Sequence, residues 1–379
     1  MLCKPIFSAL GPLVALPLAA CSPSQPAPQP KAETAPTTEP APAAPTAPQP
    51  TPATDSHTPS KPGALKTFTD WTVGCDNTLR CTLGSLLPEA GGETMITLNL
   101  TREPGPVASG GGKIALALDT RNDAAATKRP PASFTVDGKS IALDDAAALA
   151  AAITNARSLK ILDANGATLA TVSLTGAAAA LRYIDARQGR TGSTDAIVAK
   201  GSAPSAASTP PLPTITAIAP SGTAAKLTAA QVATMRKRAT CDLASFPDGA
   251  DESITTHETH ALGGGKSLVI LPCSTGAYNL IGALFIVDGA RITPAQLDAP
   301  SGFEATGADT GTPVKSVING TFENGILTSY AKGRGLGDCG SHQSFVWDAT
   351  RFRLSEQADM GECRGNIDYI TTWRAKVVR

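Results

Sequence analysis

A β-rich α+β fold is what this 379-residue sequence predicts: two antiparallel β domains (sandwich or meander) with a few helices, stapled by disulfides. Three observations predict it. Short segments of alternating apolar and polar residues recur from residue 66 onward, broken by turn dipeptides such as Asp137-Gly138, Asn165-Gly166, Asn319-Gly320 and Asn324-Gly325. Six of the eight cysteines fall in that region. A stretch poor in large apolar residues, "GSAPSAASTPPLP" from Gly201 to Pro213, reads as disordered and splits the region. The domains are then 66–200 and 224–379, with 201–223 as a linker.

The chain opens with a different kind of segment. Lys4 precedes the apolar run "IFSALGPLVALPLAA", which is too short for a mature membrane span, so residues 1–20 read as a signal peptide. Leu18-Ala19-Ala20-Cys21 resembles the lipobox of bacterial lipoproteins. That resemblance implies lipidation of Cys21, which becomes the mature N-terminus. Ser22 follows, and this sorting pattern favours the outer membrane, facing the periplasm or the cell surface. Two or more acyl chains hold a membrane stably where one is marginal. Residues 22–65 are mostly Pro, Ala, Thr and Gln without an aromatic. They read as a disordered tether, and 44 residues of extended polyproline II would reach on the order of 100 Å.

In the first domain, "FTDWTVGC" and "RCTLGSLL" read as strands flanking a turn at Asp76 to Leu79. "TMITLNLTR" and "KIALALDT" alternate as strands, and "SFTVDGKSIAL" and "SLKILDANGATLATVSL" as hairpins. An alanine-rich helix begins at Asp144 and Asp145, where negative charge suits the helix dipole, and runs to about Ala156. A second helix is expected from about Thr175 to Gln188, stopped by Gly189. The second domain starts with a helix in "KLTAAQVATMRKRATC". Thr228 and Gln231 have capping-box spacing, and Arg236, Lys237 and Arg238 fill the last turn. Strands follow in "SITTHETHAL", "KSLVILPC", "NLIGALFIV", "VKSVINGTFENGILTSYAKG", "SFVWDATRFRLSEQ" and "IDYITTWRAKVV".

Four motifs, "FTDWTVGCDNTLRC", "LRYIDARQGRTGSTDAIVAKG", "GAYN" and "GRGLGDCGSHQSFVWDATRFRL", together resemble a family of bacterial envelope proteins known as domain of unknown function 1176, over about residues 66–379. The first domain, with its "DW…C…C" opening, also resembles the invasion-associated locus B family. Neither resemblance implies an enzymatic activity.

Composition excludes some function classes. The 32 Lys and Arg balance 32 Asp and Glu, which gives no basic signature of nucleic-acid binding. No cofactor is expected. With Cys3 in the signal and Cys21 lipidated, Cys75, Cys81, Cys241, Cys273, Cys339 and Cys363 remain, an even set in an exported chain. Six cysteines allow 15 pairings. Locality suggests Cys75–Cys81, Cys241–Cys273 and Cys339–Cys363.

Several stretches invite sharper readings. "GDCGS" around Cys339 resembles a protease nucleophile loop, which would need a His base and an orienting carboxylate; a disulfide to Cys363 is the competing reading. "GGGKS" at Gly263 to Ser267 lacks the first glycine of a phosphate loop, so it reads as a hairpin turn. His257 and His260 are metal candidates only on a helix; on a strand their odd spacing sends them to opposite faces. Arg182, Asp185, Arg187 and Arg190 form the most function-like surface, a fork-rich patch for a carboxylate or phosphate, which Arg334 could join. In the bland alternative Arg182 and Asp185 pair at i, i+3 on a solvated helix face.

The expectation is a lipoprotein held in the membrane by its N-terminal lipid, which binds an unknown envelope protein or glycan without catalysis, in one version as an inhibitor. The alternatives are a cell-wall-directed hydrolase using His257 and His260, and a structural envelope protein.

Overall fold

The computed structural model describes residues 60–89, 94–121, 123–299 and 314–379. The segments expected to be a signal peptide, a lipidated Cys21 and, up to residue 59, a tether lie outside the described residues.

The first half builds two antiparallel sheets. β1 (Lys66–Phe68), β2 (Trp71–Cys75), β3 (Cys81–Ser85), β4 (Thr97–Arg102) and β5 (Ile114–Asp119) pair in chain order. A short helix, α1 (Ala124–Lys128), capped by Asp123, leads to β6 (Pro131–Val136) and β7 (Lys139–Ala142). Then come α2 (Ala146–Ala152), β8 (Leu159–Asp163), β9 (Thr168–Val172) and α3 (Ala177–Arg187). The second sheet runs β7-β6-β8-β9. One core holds the half together, with Trp71, Leu83 and Leu100 of the first sheet, Phe134 and Ile161 of the second, and Leu181 of α3. Aromatics are scarce, so aliphatic and alanine packing carries this core. The expected hairpins all form. α2 ends at Ala152, earlier than the alanine run suggests, with Asp145 accepting from the Ala148 N–H as its cap.

Residues 201–213, expected to be disordered, have defined partners. Ala203 bridges Ser193, and the Pro213 carbonyl accepts from the Lys376 N–H. β10 (Thr214–Thr216) follows and pairs in parallel with the C-terminal strand, an unanticipated exception to the antiparallel pattern.

The second half opens with α4 (Ala229–Arg238), whose capping box of Thr228 and Gln231 is formed as the spacing predicts. The start of "SITTHETHAL" is a helical turn, α5 (Glu252–Thr255), and the strand begins only at β11 (Glu258–Gly263). β12 (Lys266–Thr275), β13 (Leu280–Asp288), β14 (Arg291–Pro294) and β15 (Ser316–Ile318) complete that sheet. A second sheet is a pure meander of β16 (Phe322–Glu323), β17 (Ile326–Lys332), β18 (Gly340–Trp347), β19 (Phe352–Met360) and β20 (Ile370–Arg374). β21 (Lys376–Val378) leaves it to join β10.

β12 and β13 are covered on both faces, which explains their near-continuous apolar sequence. Leu268, Ile270 and Leu284 face Phe345, Phe352 and Leu354 of the meander. Val269, Leu271 and Phe285 face Met235 of α4 and Ala239, which caps its C-terminus. The second half is thus a sandwich with a helical outer layer. Its Cys241–Cys273 disulfide ties the end of α4 to β12, and the glycines of "GGGKS" form the β11–β12 turn.

A polar seam joins the halves. Arg364 donates to the carbonyls of Thr69 and Leu87, at 2.7 Å each, and to Asp70 at 2.5 Å. Arg374 reaches Asp76 at 2.5 Å and Thr78 Oγ1 at 2.9 Å. The buried Asn366 amide donates to Ser85 O and Asn99 Oδ1, both at 2.9 Å.

Candidate functional site

The four sequence motifs meet in pairs. "FTDWTVGCDNTLRC" and "LRYIDARQGRTGSTDAIVAKG" meet inside the first half. "GAYN" and "GRGLGDC" meet at the surface of the second.

The first meeting corrects the expectation of an anion-docking patch. Asp185 is fully buried: its Oδ1 accepts from Arg102 Nη1 at 2.7 Å, and its carboxylate takes the N–H groups of Ile197, Val198 and Ala199 at 2.9, 2.8 and 3.1 Å. Arg190 is buried too, donating to Asp195, to Gly105 O at 2.5 Å and to Gln188 Oε1 at 3.1 Å. The Gln188 amide in turn donates to Leu79 O at 2.9 Å. Of the four patch residues only Arg182 and Arg187 stay exposed, and Asp185 pairs with Arg102 rather than with Arg182. The motif is an internal lock that fastens the 191–199 loop, α3 and β4 together. Burial and the neighbouring Arg190 pull the Arg102 pKa down.

The histidines do not converge. His260, on β11, has Nε2 at 2.9 Å from Glu258 Oε2 and its ring against Phe322 on the meander side. His257 precedes β11 and lines a depression beside α4 with Arg236 and Leu243. Among the described residues no group of three or more His, Cys, Asp or Glu is placed to hold a metal. Cys339 is joined to Cys363, so its sulfur is not a free thiol; Cys75 is joined to Cys81.

The second meeting builds an exposed, braced surface. Residues 333–339 form the loop between β17 and β18. Arg334 does not join the α3 arginines; it forks onto Asp338, with Nε to Oδ1 at 2.6 Å and Nη2 to Oδ2 at 2.5 Å. The Asp338 side chain is fully buried and also accepts from the Gly365 N–H at 2.6 Å. Burial acts to raise the Asp338 pKa, but the hydrogen bonds from Arg334 and Gly365 outweigh it and hold the carboxyl below the usual carboxylate range. Gly337, at φ 70°, has the left-handed backbone that glycine adopts most readily, and its carbonyl accepts from both Tyr330 (3.1 Å) and Tyr369 (3.2 Å). The Cys339–Cys363 disulfide closes the base.

The "GAYN" loop is fixed against this one. Asn279 makes a two-way bridge to Lys332, donating to its carbonyl at 2.9 Å and accepting from its N–H at 3.0 Å. Asn319 donates to the carbonyls of Tyr278 (3.2 Å) and Tyr330 (2.9 Å). The Tyr278 ring lies so close to Gly335 that a Cβ there would be 2.8 Å from Cε1. Tyr278 and Leu336 are left 52% and 45% exposed, among the largest apolar exposures of the described residues. Chemically, this is a rigid aromatic–aliphatic knob. The turn composition of "GRGLGDC" announced a tight loop; the partnership with Tyr278 had no sequence signal.

At the base of the loop a cavity of about 730 Å³ opens beside the disulfide. Its floor carries Gln343, Gln357 and Met360, and Pro62, Gly63 and Ala64 line it as the chain enters the fold.

Comparison with known proteins agrees with the motif resemblance. The chain is 28% identical over 332 residues to Uncharacterized protein YpfG of Escherichia coli (strain K12), covering 79% of this chain and 89% of that one. No solved structure matches. The resemblance of residues 66–200 to the invasion-associated locus B family is not shown. The model of the family described as protein of unknown function (DUF1176) matches residues 65–376, across both halves, and the chain belongs to that family.

Proposed function

We propose that this chain is an outer-membrane-anchored lipoprotein that works as a non-enzymatic binding module, docking an envelope protein through Tyr278 and Leu336 in an inhibitor-like manner. The observation that carries the reading is the exposure of this pair on two loops braced by Asn279, Asn319, Asp338, the two tyrosine hydroxyls and a disulfide. A preorganised apolar knob loses little freedom on binding, so more of its contact energy appears as affinity. The partner it fits offers an apolar cleft, as an enzyme being inhibited would. The anchor reading rests on the lipobox ending at Cys21 and on the tether.

A photo-crosslinking residue at position 336 of the full-length protein, produced in its own envelope, tests the docking reading. One dominant crosslinked protein is expected, absent when Tyr278→Asp is added and absent when the crosslinker sits at position 182. No defined product at 336, or the same product at 182, contradicts it. For the anchor, Cys21→Ala should move the protein out of the membrane fraction; retention there contradicts lipidation.

A further inference from the structure

We infer that the cavity beside Cys339–Cys363 is a second binding site, one that takes an uncharged, peptide-like segment. None of its lining residues carries a charge, which gives an ionic ligand nothing to pair with. None is aromatic, so a sugar ring finds no face to stack on. Its volume, about 730 Å³, is within the range of roughly 300–1,000 Å³ typical of small-ligand sites.

What the walls offer is amide chemistry. Gly333, Gly340 and Gly361 present backbone with no side chain in the way. The floor carboxamides are held in one orientation by a chain of hydrogen bonds. Gln343 Nε2 donates to Gln357 Oε1 at 2.8 Å, and Gln357 Nε2 donates to Asp359 Oδ2 at 2.9 Å. That carboxylate oxygen also accepts from Thr372 Oγ1 at 2.6 Å. An anchored carboxamide presents a donor and an acceptor side by side, as a peptide group does. The slim, glycine-rich walls suit residues such as Ala, Gly, Ser and Pro.

Gly361 makes the cavity testable. A Cβ there would meet only Leu65 Cδ1, at 3.8 Å, whereas one at Gly333 would strike the Cys339 sulfur at 2.6 Å. Gly361→Trp therefore fills the cavity without forcing the backbone. Gln357→Leu, a second variant, removes the amide and keeps the shape.

The full-length protein is titrated by calorimetry with a set of end-blocked tripeptides of Ala, Gly, Ser and Pro, and with the neutral trisaccharide of N-acetylglucosamine. The expected result is saturable binding of at least one peptide and not of the trisaccharide. Gly361→Trp should weaken that binding at least tenfold and Gln357→Leu about fivefold, while Arg182→Ala, exposed on α3 in the first half, leaves it unchanged. Failure of every peptide to bind, preference for the trisaccharide, or unchanged affinity in both cavity variants overturns the proposal.

Discussion

Asp185 and Arg334, read from sequence as parts of one surface, end in two Arg–Asp pairs with opposite fates. In the first half both members of the pair face inward: the Arg102 and Asp185 side chains are buried, and their pairing spans 83 positions in sequence. In the second half the partners are four residues apart; Asp338 is buried while Arg334 is 45% exposed. The first pair is a lock with no outward face. The second is a brace whose product, the Tyr278–Leu336 knob, faces solvent. The same two residue types serve a core or a site according to what surrounds the carboxylate.

Substitutions sharpen this contrast. The largest effect belongs to Asp185→Ala, which leaves the buried Arg102 and three N–H groups without their acceptor; breaking a buried pair costs about 3–5 kcal/mol. Urea unfolding should show that loss, and a variant as stable as the parent would remove the lock from the account. Next is the double substitution of Cys339 and Cys363 by Ser. In the chain-entropy model a loop with a sequence separation of 24 is worth about 3–4 kcal/mol, and crosslinking from position 336 should fail as well.

Asp338→Asn gives a smaller effect with a pH signature. The folded-state pKa of Asp338 lies below its unfolded value of about 3.9. Its contribution is therefore present above that unfolded value and lost as pH falls through the lower folded one. Between pH 7 and acid, the parent should lose more stability than the Asn variant; parallel pH curves would contradict the brace. At the bottom of the scale, Arg182→Ala and Arg187→Ala, both exposed on α3, should stay within about 0.5 kcal/mol of the parent.

Much of the fold was legible because its signals are local. Asp137-Gly138, Asn165-Gly166 and Asn324-Gly325 located hairpins, while Asn319-Gly320 marks where the chain passes from one sheet to the other; the capping box opened α4, and nearest-neighbour pairing of cysteines reproduced all three disulfides. The strands that escaped, β1, β10 and β14, have three or four residues each, too few to show a period. The site was harder for a different reason. Its partnerships join residues far apart: Gly335 to Tyr278, Asp338 to Gly365, Asp185 to Arg102. A single sequence shows that Asp185 lies among arginines but not that three backbone N–H groups wait for its carboxylate.

The most direct test of the central claim is amide hydrogen exchange on the free, full-length protein, comparing the two regions. The Gly333 N–H bonds to Cys339 O at 2.8 Å and the Gly337 N–H to Arg334 O at 3.0 Å, both in the exposed loop; Val198 and Ala199 bond to Asp185 in the lock. The account predicts slow exchange at all four in the parent. It further predicts loss of protection at Gly333 and Gly337 alone in Asp338→Ala. Fast exchange at Gly333 and Gly337 in the unbound parent would contradict it, because the knob would then be ordered only by its partner.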